Sequence, residues 1–144
     1  KCISQIYKIS PLIMMFILLA TYLTDTGAYF CGYFFGKHKL NPRISPKKTI
    51  EGSIGGWILG AVGSFLFAYF YLADILPLEV IVCGSVLMPI IGQIGDLALS
   101  AIKRHYQVKD FGKIFPGHGG VLDRIDSLLF NLLLFYILMI GMMI

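Results

Sequence analysis

Asp96, Ser100, Lys103 and Arg104 fall at i, i+4, i+7 and i+8, a spacing that brings side chains to one face of a helix. That face offers a carboxylate, a hydroxyl one turn on, and two cations beyond it. A hard divalent cation would be drawn to the carboxylate, and anionic groups to the basic pair. A Lys and an Arg snorkelling at a membrane boundary account for the cations equally, so the stripe alone leaves both readings open. Further along, FPGHGGVLDRID (Phe115 to Asp126) packs three glycines, a histidine, an arginine and two aspartates between apolar stretches. Pro116, Gly117, Gly119 and Gly120 interrupt a regular helix and let backbone N–H groups approach a ligand. Asp123 and Asp126 follow at i and i+3 with Arg124 between them. They read as the first turn of a helix, where acidic residues also serve as caps and dipole complements. Two helices that bring Asp96 and Asp123 to the same membrane face, with Lys, Arg and a glycine turn around them, would compose a magnesium and polyphosphate site.

The elements that must position these residues are read from hydropathy. The chain has 57% hydrophobic and only 14% charged residues, with a mean hydropathy of +0.79, which is the balance of a membrane protein and not of a soluble domain. Stretches at about 11–35, 54–73, 80–102 and 127–144 are nearly free of Lys and Arg, and each approaches the ~20 residues that a helix needs to cross the hydrocarbon core. Lipid demands internally satisfied backbones. The expectation is therefore an all-α integral membrane protein, a polytopic transmembrane helix bundle of about four spans. Ten of the twelve basic residues lie in two loops, 37–51 and 103–126, whereas the link between the second and third spans carries Asp74 and Glu79. The cytoplasmic side collects Lys and Arg, so both basic loops are expected there, with the chain ends and the Asp74 link opposite. Lys1 and Lys8 count mildly against that orientation.

The chain begins at Lys1 without a Met or a signal-type segment and enters a span within about ten residues, which reads as the later part of a longer protein. Cys2, Cys31 and Cys83 have no metal-ligand or redox spacing and read as small apolar packing groups. Asp25, flanked by Thr24 and Thr26, lies well inside the first span. A charge near the bilayer centre costs ~3 kcal/mol on insertion scales, so Asp25 reads equally as a functional group or as interhelical glue. Tyr22 and Tyr29, at i−3 and i+4 from it, fit its face or an aromatic belt. In SPKKTIEG, Ser45 to Gly52, Lys47, Lys48 and Thr49 offer two cations and a hydroxyl before the second span, a composition that also suits an anchor to anionic lipid.

The run SAIKRHYQVKDFGKIFPGHGGVLDRID, Ser100 to Asp126, resembles the signature of the phosphatidate cytidylyltransferases, also called CDP-diacylglycerol synthases. Ser100, Lys103, Arg104, Lys109, Asp110, Gly112, Pro116, His118, Gly119, Gly120, Asp123, Arg124 and Asp126 occupy its fixed positions. GQIGDL (Gly92 to Leu97), TDTGAYFCGYFFGKHKL and SPKKTIEG are also similar to members of that family. The resemblance implies an integral membrane enzyme that joins CTP and phosphatidic acid to give CDP-diacylglycerol and pyrophosphate in phospholipid biosynthesis. On this reading residues 1–144 are the C-terminal membrane catalytic region of a longer chain.

Carried over by position, the resemblance gives Asp96 and Asp123 the metal, Mg²⁺ with a second cation such as K⁺. It gives Ser100, Lys103, Arg104, Lys109, Asp110, His118, Arg124 and Asp126 to the catalytic cavity. Lys48, Thr49, Glu51 and Asp25 become candidate substrate-binding residues by the same route, with Gly119 and Gly120 as backbone contacts. His118 would either donate to a phosphate or pin the turn. Leu99 stands where many relatives have Glu, which removes one acidic group near the site, and Phe111 stands where many bacterial members have Ser. The implied partners are CTP, phosphatidic acid and membrane lipids, with a homodimer as a candidate assembly and no nucleic acid. The implied place is the inner membrane, multi-pass, with the site facing the cytoplasm. The rival reading is an ion or proton transporter fragment, with Asp25 and Asp96 lining a path. It leaves the polar loop from Lys103 to Asp126 without a purpose.

Overall fold

The computed structural model of the chain describes residues 11–41, 45–105 and 122–141, with the side chains at 46, 47 and 122–126 outside that description. Within these residues the protein is a bundle of four helices: α1 (Pro11–Phe35), α2 (Ile50–Tyr71), α3 (Leu78–His105) and α4 (Leu122–Gly141). The first three are long and apolar enough to cross a membrane, and α4 holds a shorter apolar segment, Ser127–Gly141. Phe30, Phe34, Leu59, Leu66 and Phe70 are exposed on the outside, as a surface solvated by lipid tails requires. This is an all-α membrane protein.

The helices overrun the apolar stretches at their polar ends, for reasons written in the local sequence. At the start of α2, the Thr49 hydroxyl accepts a hydrogen bond from Gly52 N at 3.1 Å, and Glu51 in the first turn complements the helix dipole. The helix therefore begins at Ile50, four residues before the apolar run at Ile54. Helix α3 continues to His105 through Lys103 and Arg104, cations that favour a helix C-terminus, and α4 starts at Leu122, ahead of Ser127.

One element was not anticipated from hydropathy. The first basic loop contains a two-stranded antiparallel ribbon, β1 (Lys39–Asn41) and β2 (Ser45–Thr49), pairing Lys39 with Thr49 and Asn41 with Ser45. Ile50 N also donates to His38 O at 2.9 Å, so the ribbon runs directly into α2.

Helices α1 and α2 form the tightest pair. Gly52, Gly56, Gly60, Ser64 and Ala68 recur at i+4 along α2 and are all buried, a small-residue stripe that lets two backbones approach. A Cβ at Gly56 would stand 2.6 Å from Thr24 O, and one at Gly52 2.6 Å from Ala28 O. Only glycine fits at either position.

The apolar core gathers at one end of the bundle. Ile13, Phe16, Ile17, Ala20, Leu72, Leu76, Val80, Ile81 and Phe135 are buried there, and the Phe16 and Phe135 rings meet edge to face at 6.0 Å and 76°. Toward the middle, Asn131 Nδ2 donates to Thr21 Oγ1 at 2.9 Å, and Thr21 donates to Ile17 O at 2.8 Å. The Asn131 carboxamide also lies 2.9 Å from the position of a Cβ on Gly92, and Phe130 packs against Gly95. These contacts fix the register of α4 against α1 and α3.

Candidate functional site

The opposite end of the bundle is open and polar. The C-terminal half of α1, the ribbon, the first turn of α2 and the middle of α3 enclose a cavity of about 600 Å³. Asp25, Tyr29 and Tyr33 reach it from α1, Lys39, Lys48 and Thr49 from the ribbon, Ser53 from α2, and Gln93 and Asp96 from α3.

The ribbon explains how Lys48 gets there. Strand β2 crosses the mouth of the cavity, and the Lys48 ammonium forms an ion pair and hydrogen bond with Asp96 Oδ2, joining residues on different elements 48 positions apart. Both side chains are partly screened, at 33% and 26% exposure. Thr49 caps α2 and also lines the wall, so one hydroxyl serves the fold and the site. At the floor, Ser53 Oγ donates to Gln93 Oε1 while Gln93 Nε2 returns a bond to Ser53 O at 3.0 Å. This reciprocal pair locks α2 to α3 one helical turn below Asp96.

The sequence-predicted residues distribute as follows. Asp25, Lys48, Thr49 and Asp96 meet around one cavity. Glu51 is engaged elsewhere: its Oε1 lies 2.7 Å from His38 Nδ1, and the His38 backbone N–H reaches both carboxylate oxygens at 3.2 Å. That clamp ties the entry of the ribbon to the start of α2. Tyr22 and Tyr29 part company, Tyr29 lining the cavity and Tyr22 a separate apolar groove with Met15, Leu18 and Leu19. Ser100, Lys103 and Arg104 continue the Asp96 face toward the end of α3, half-buried or exposed. Cys31 packs against Gly55 in the α1/α2 seam, as a small apolar group would.

Lys109, Asp110, His118, Gly119 and Gly120 lie outside the described residues. Asp123, Arg124 and Asp126 belong to α4, with their side chains outside that description. The backbone register still bears on them. With Asn131 against Gly92 and the two helices antiparallel, one turn toward the cavity end sets residue 127 level with Asp96, and the next sets residue 123 level with Ser100.

Ser53 and Gln93 were missed in the sequence, because neutral polar residues inside an apolar span carry no charge signal. The available hint was spacing, since Gln93 precedes Asp96 by three positions on one helix face.

The donor set has the chemistry of a hard-cation site. Asp25, Asp96, Thr49 and Gln93 offer oxygen ligands, and among the described residues neither Cys nor His lines the cavity, a set that matches hard cations. Among the described residues no cluster of three His, Cys, Asp or Glu side chains forms. The two carboxylates that line the cavity, Asp25 and Asp96, are within what magnesium commonly takes, its shell being completed by water and substrate phosphate.

The sequence matches the cytidylyltransferase family over residues 4–141. The chain belongs to the cytidylyltransferase family. Among its curated relatives, the phosphatidate cytidylyltransferase of Staphylococcus haemolyticus is 47% identical over 129 residues, covering 90% of this chain and 49% of the relative. Those of Staphylococcus saprophyticus and Staphylococcus aureus strain COL are each 46% identical over 127 residues, covering 88% of this chain and 48% of theirs. The chain spans about half the length of the curated relatives it matches. The cavity and the ribbon fall inside the family match.

Proposed function

We propose that this chain carries the metal- and nucleotide-handling part of a phosphatidate cytidylyltransferase, which converts CTP and phosphatidic acid to CDP-diacylglycerol and pyrophosphate. The observation that carries the reading is the Lys48–Asp96 pair at the mouth of an oxygen-lined cavity at one end of a membrane bundle, in a chain 46–47% identical to proteins of that name. The open end faces the cytoplasm of the inner membrane, where both basic loops would meet CTP from water and phosphatidic acid from the leaflet.

In the reaction a phosphate oxygen of phosphatidic acid attacks the α-phosphorus of CTP in line, and pyrophosphate departs. The nucleophile is already anionic, so no protein group has to form a covalent bond. The demand is for positioning and charge neutralisation. Asp96, with Asp123 from α4, would hold Mg²⁺, and a second cation such as K⁺ is part of the same reading. A metal held there would supply charge neutralisation and orientation to the transferred phosphate. Lys48, Lys103, Arg104, Lys109 and Arg124 meet phosphate oxygens as charge-assisted donors, and the Gly119–Gly120 turn adds backbone N–H groups. Asp25 and Thr49 shape the cavity wall, and Ser53 with Gln93 holds its floor. Ser100, Asp110, His118 and Asp126 complete the polar surround.

The test is conversion of phosphatidic acid by the full-length protein in detergent, with labelled CTP and with Mg²⁺ varied. Turnover should require both, and Asp96→Asn should lower kcat/KM about a hundredfold or more, since a bound metal contributes several kcal/mol to such a step. Full activity of Asp96→Asn would remove the metal assignment. Ion flux in proteoliposomes without nucleotide would favour the transporter reading instead.

A further inference from the structure

Asp96 is assigned to a metal, and yet its Oδ2 is held by the Lys48 ammonium. A lysine and a hard divalent cation seek the same thing from a carboxylate, a full negative charge on oxygen, and one oxygen does not serve both at full strength. The pair joins two elements that are far apart in sequence. Asp96 is on α3, and Lys48 is on a two-stranded ribbon anchored at its base by the His38–Glu51 clamp and by the Thr49 cap. Lys48 also lines the same cavity as Asp96, and its four-carbon stem carries three rotatable donors. It can therefore leave the carboxylate and remain in the cavity.

Resting on the metal reading of Asp96, we infer that Lys48 is an exchangeable counter-ion that occupies the metal's carboxylate until nucleotide arrives. Before binding, the ammonium neutralises Asp96, whose carboxylate is partly screened from solvent. When the divalent cation comes in with a polyphosphate, the cation takes Asp96 and Lys48 turns to a phosphate oxygen. Each charge is matched in both states. The consequence is specific: the empty protein binds free divalent cation weakly, and cation and nucleotide enter together. Lys48 thus opposes one ligand and supports the other.

The probe is Mn²⁺ alone, titrated into full-length protein in detergent without nucleotide and read by loss of the free-ion paramagnetic signal. Lys48→Met should bind Mn²⁺ about three- to fivefold more tightly than the unmodified protein, the range that a part-exposed ion pair supports, while its KM for CTP rises. Asp96→Asn should bind more weakly. In the double variant the gain from Lys48→Met should vanish, because the cycle isolates the pair. A gain that persists with Asp96→Asn would reveal only a general change of local charge and overturn the exchange. No gain from Lys48→Met, with weak binding by Asp96→Asn, would overturn the exchange and leave the metal reading standing. Unchanged Mn²⁺ affinity in Asp96→Asn would sink the metal reading and the exchange with it. Lys48→Gln repeats the test should Lys48→Met melt at lower temperature than the parent.

Discussion

The two ends of the bundle are built on opposite principles from the same four helices. At one end Phe16, Phe135, Leu72, Val80 and Ile81 pack into a buried apolar core. At the other, the small-residue seam of α1 and α2 runs up to Thr49, and the ribbon brings Lys48 to Asp96 of α3 beside an open cavity. The dry end gives the helices a fixed relation. That fixed relation lets the wet end hold charges in an open cavity without collapsing on them. Stability and chemistry should then be separable by position along the bundle.

The largest effect expected of this division is at Phe135. Phe135→Ala removes the fully buried ring that meets Phe16 and leaves a void in the apolar core. The loss should be about 3 kcal/mol, at the low end for aromatic truncation because lipid competes for the same dispersion contacts. Thermal melting in detergent measures it. In the molecules that stay folded, KM for CTP should equal that of the parent. A shifted KM would break the separation, because it would mean that the dry end sets the geometry of the cavity more finely than the register of the helices requires.

Thr49 tests the boundary from the other side, where one side chain belongs to both halves. Thr49→Val keeps the shape that packs beside Gly32 and Gly36 but removes the acceptor for Gly52 N and the hydroxyl on the cavity wall. It should cost about 1 kcal/mol for the lost cap and raise KM for CTP a few-fold. Thr49→Ser should restore both. Loss of stability with an unchanged KM would confine Thr49 to the fold.

The same contrast explains what could be read from the sequence. The dry end was legible, because runs such as Pro11–Phe35 announce a span by hydropathy alone, and that helix starts and stops at the limits of its run. Hydropathy marks where lipid is, whereas caps mark where helices end, so α2 and α4 start earlier than their apolar segments. The ribbon was hidden because five strand residues, four of them polar or basic, look like any charged loop. At the wet end Asp25, Lys48, Thr49 and Asp96 could be picked out as polar residues in unusual places, and all four lie in the stretches upstream of the signature that are similar to family members. The pairing of Lys48 with Asp96 could not, since nothing local links positions 48 residues apart. Glu51 shows the reverse: a conspicuous acid beside a basic loop turned out to be held by His38.

Asn131 lies where the two ends meet, and the smallest effect is expected there. Its Nδ2 is bonded to Thr21, while its Oδ1 is buried with no partner among the described residues. The bonded half favours the fold, and the unpartnered half opposes it. Hydrogen bonds between membrane helices average only about 0.6 kcal/mol, so Asn131→Leu should move stability by no more than about that amount in either direction. Its value must then lie in register and not in energy, as for polar residues at the core of a coiled coil. The carboxamide fits against Gly92 because glycine leaves room, and one turn away along α3 from Gly92 is Asp96. A leucine there is free to slide, and with it the level of residue 123 relative to α3. The expected signature is a nearly unchanged melting temperature together with a higher Mg²⁺ requirement for half-maximal activity. If the Mg²⁺ requirement were unchanged as well, the Asn131–Thr21 bond would be a remnant of packing, and the register of α4 would rest on contacts such as Phe130 against Gly95 and Phe135 against Phe16.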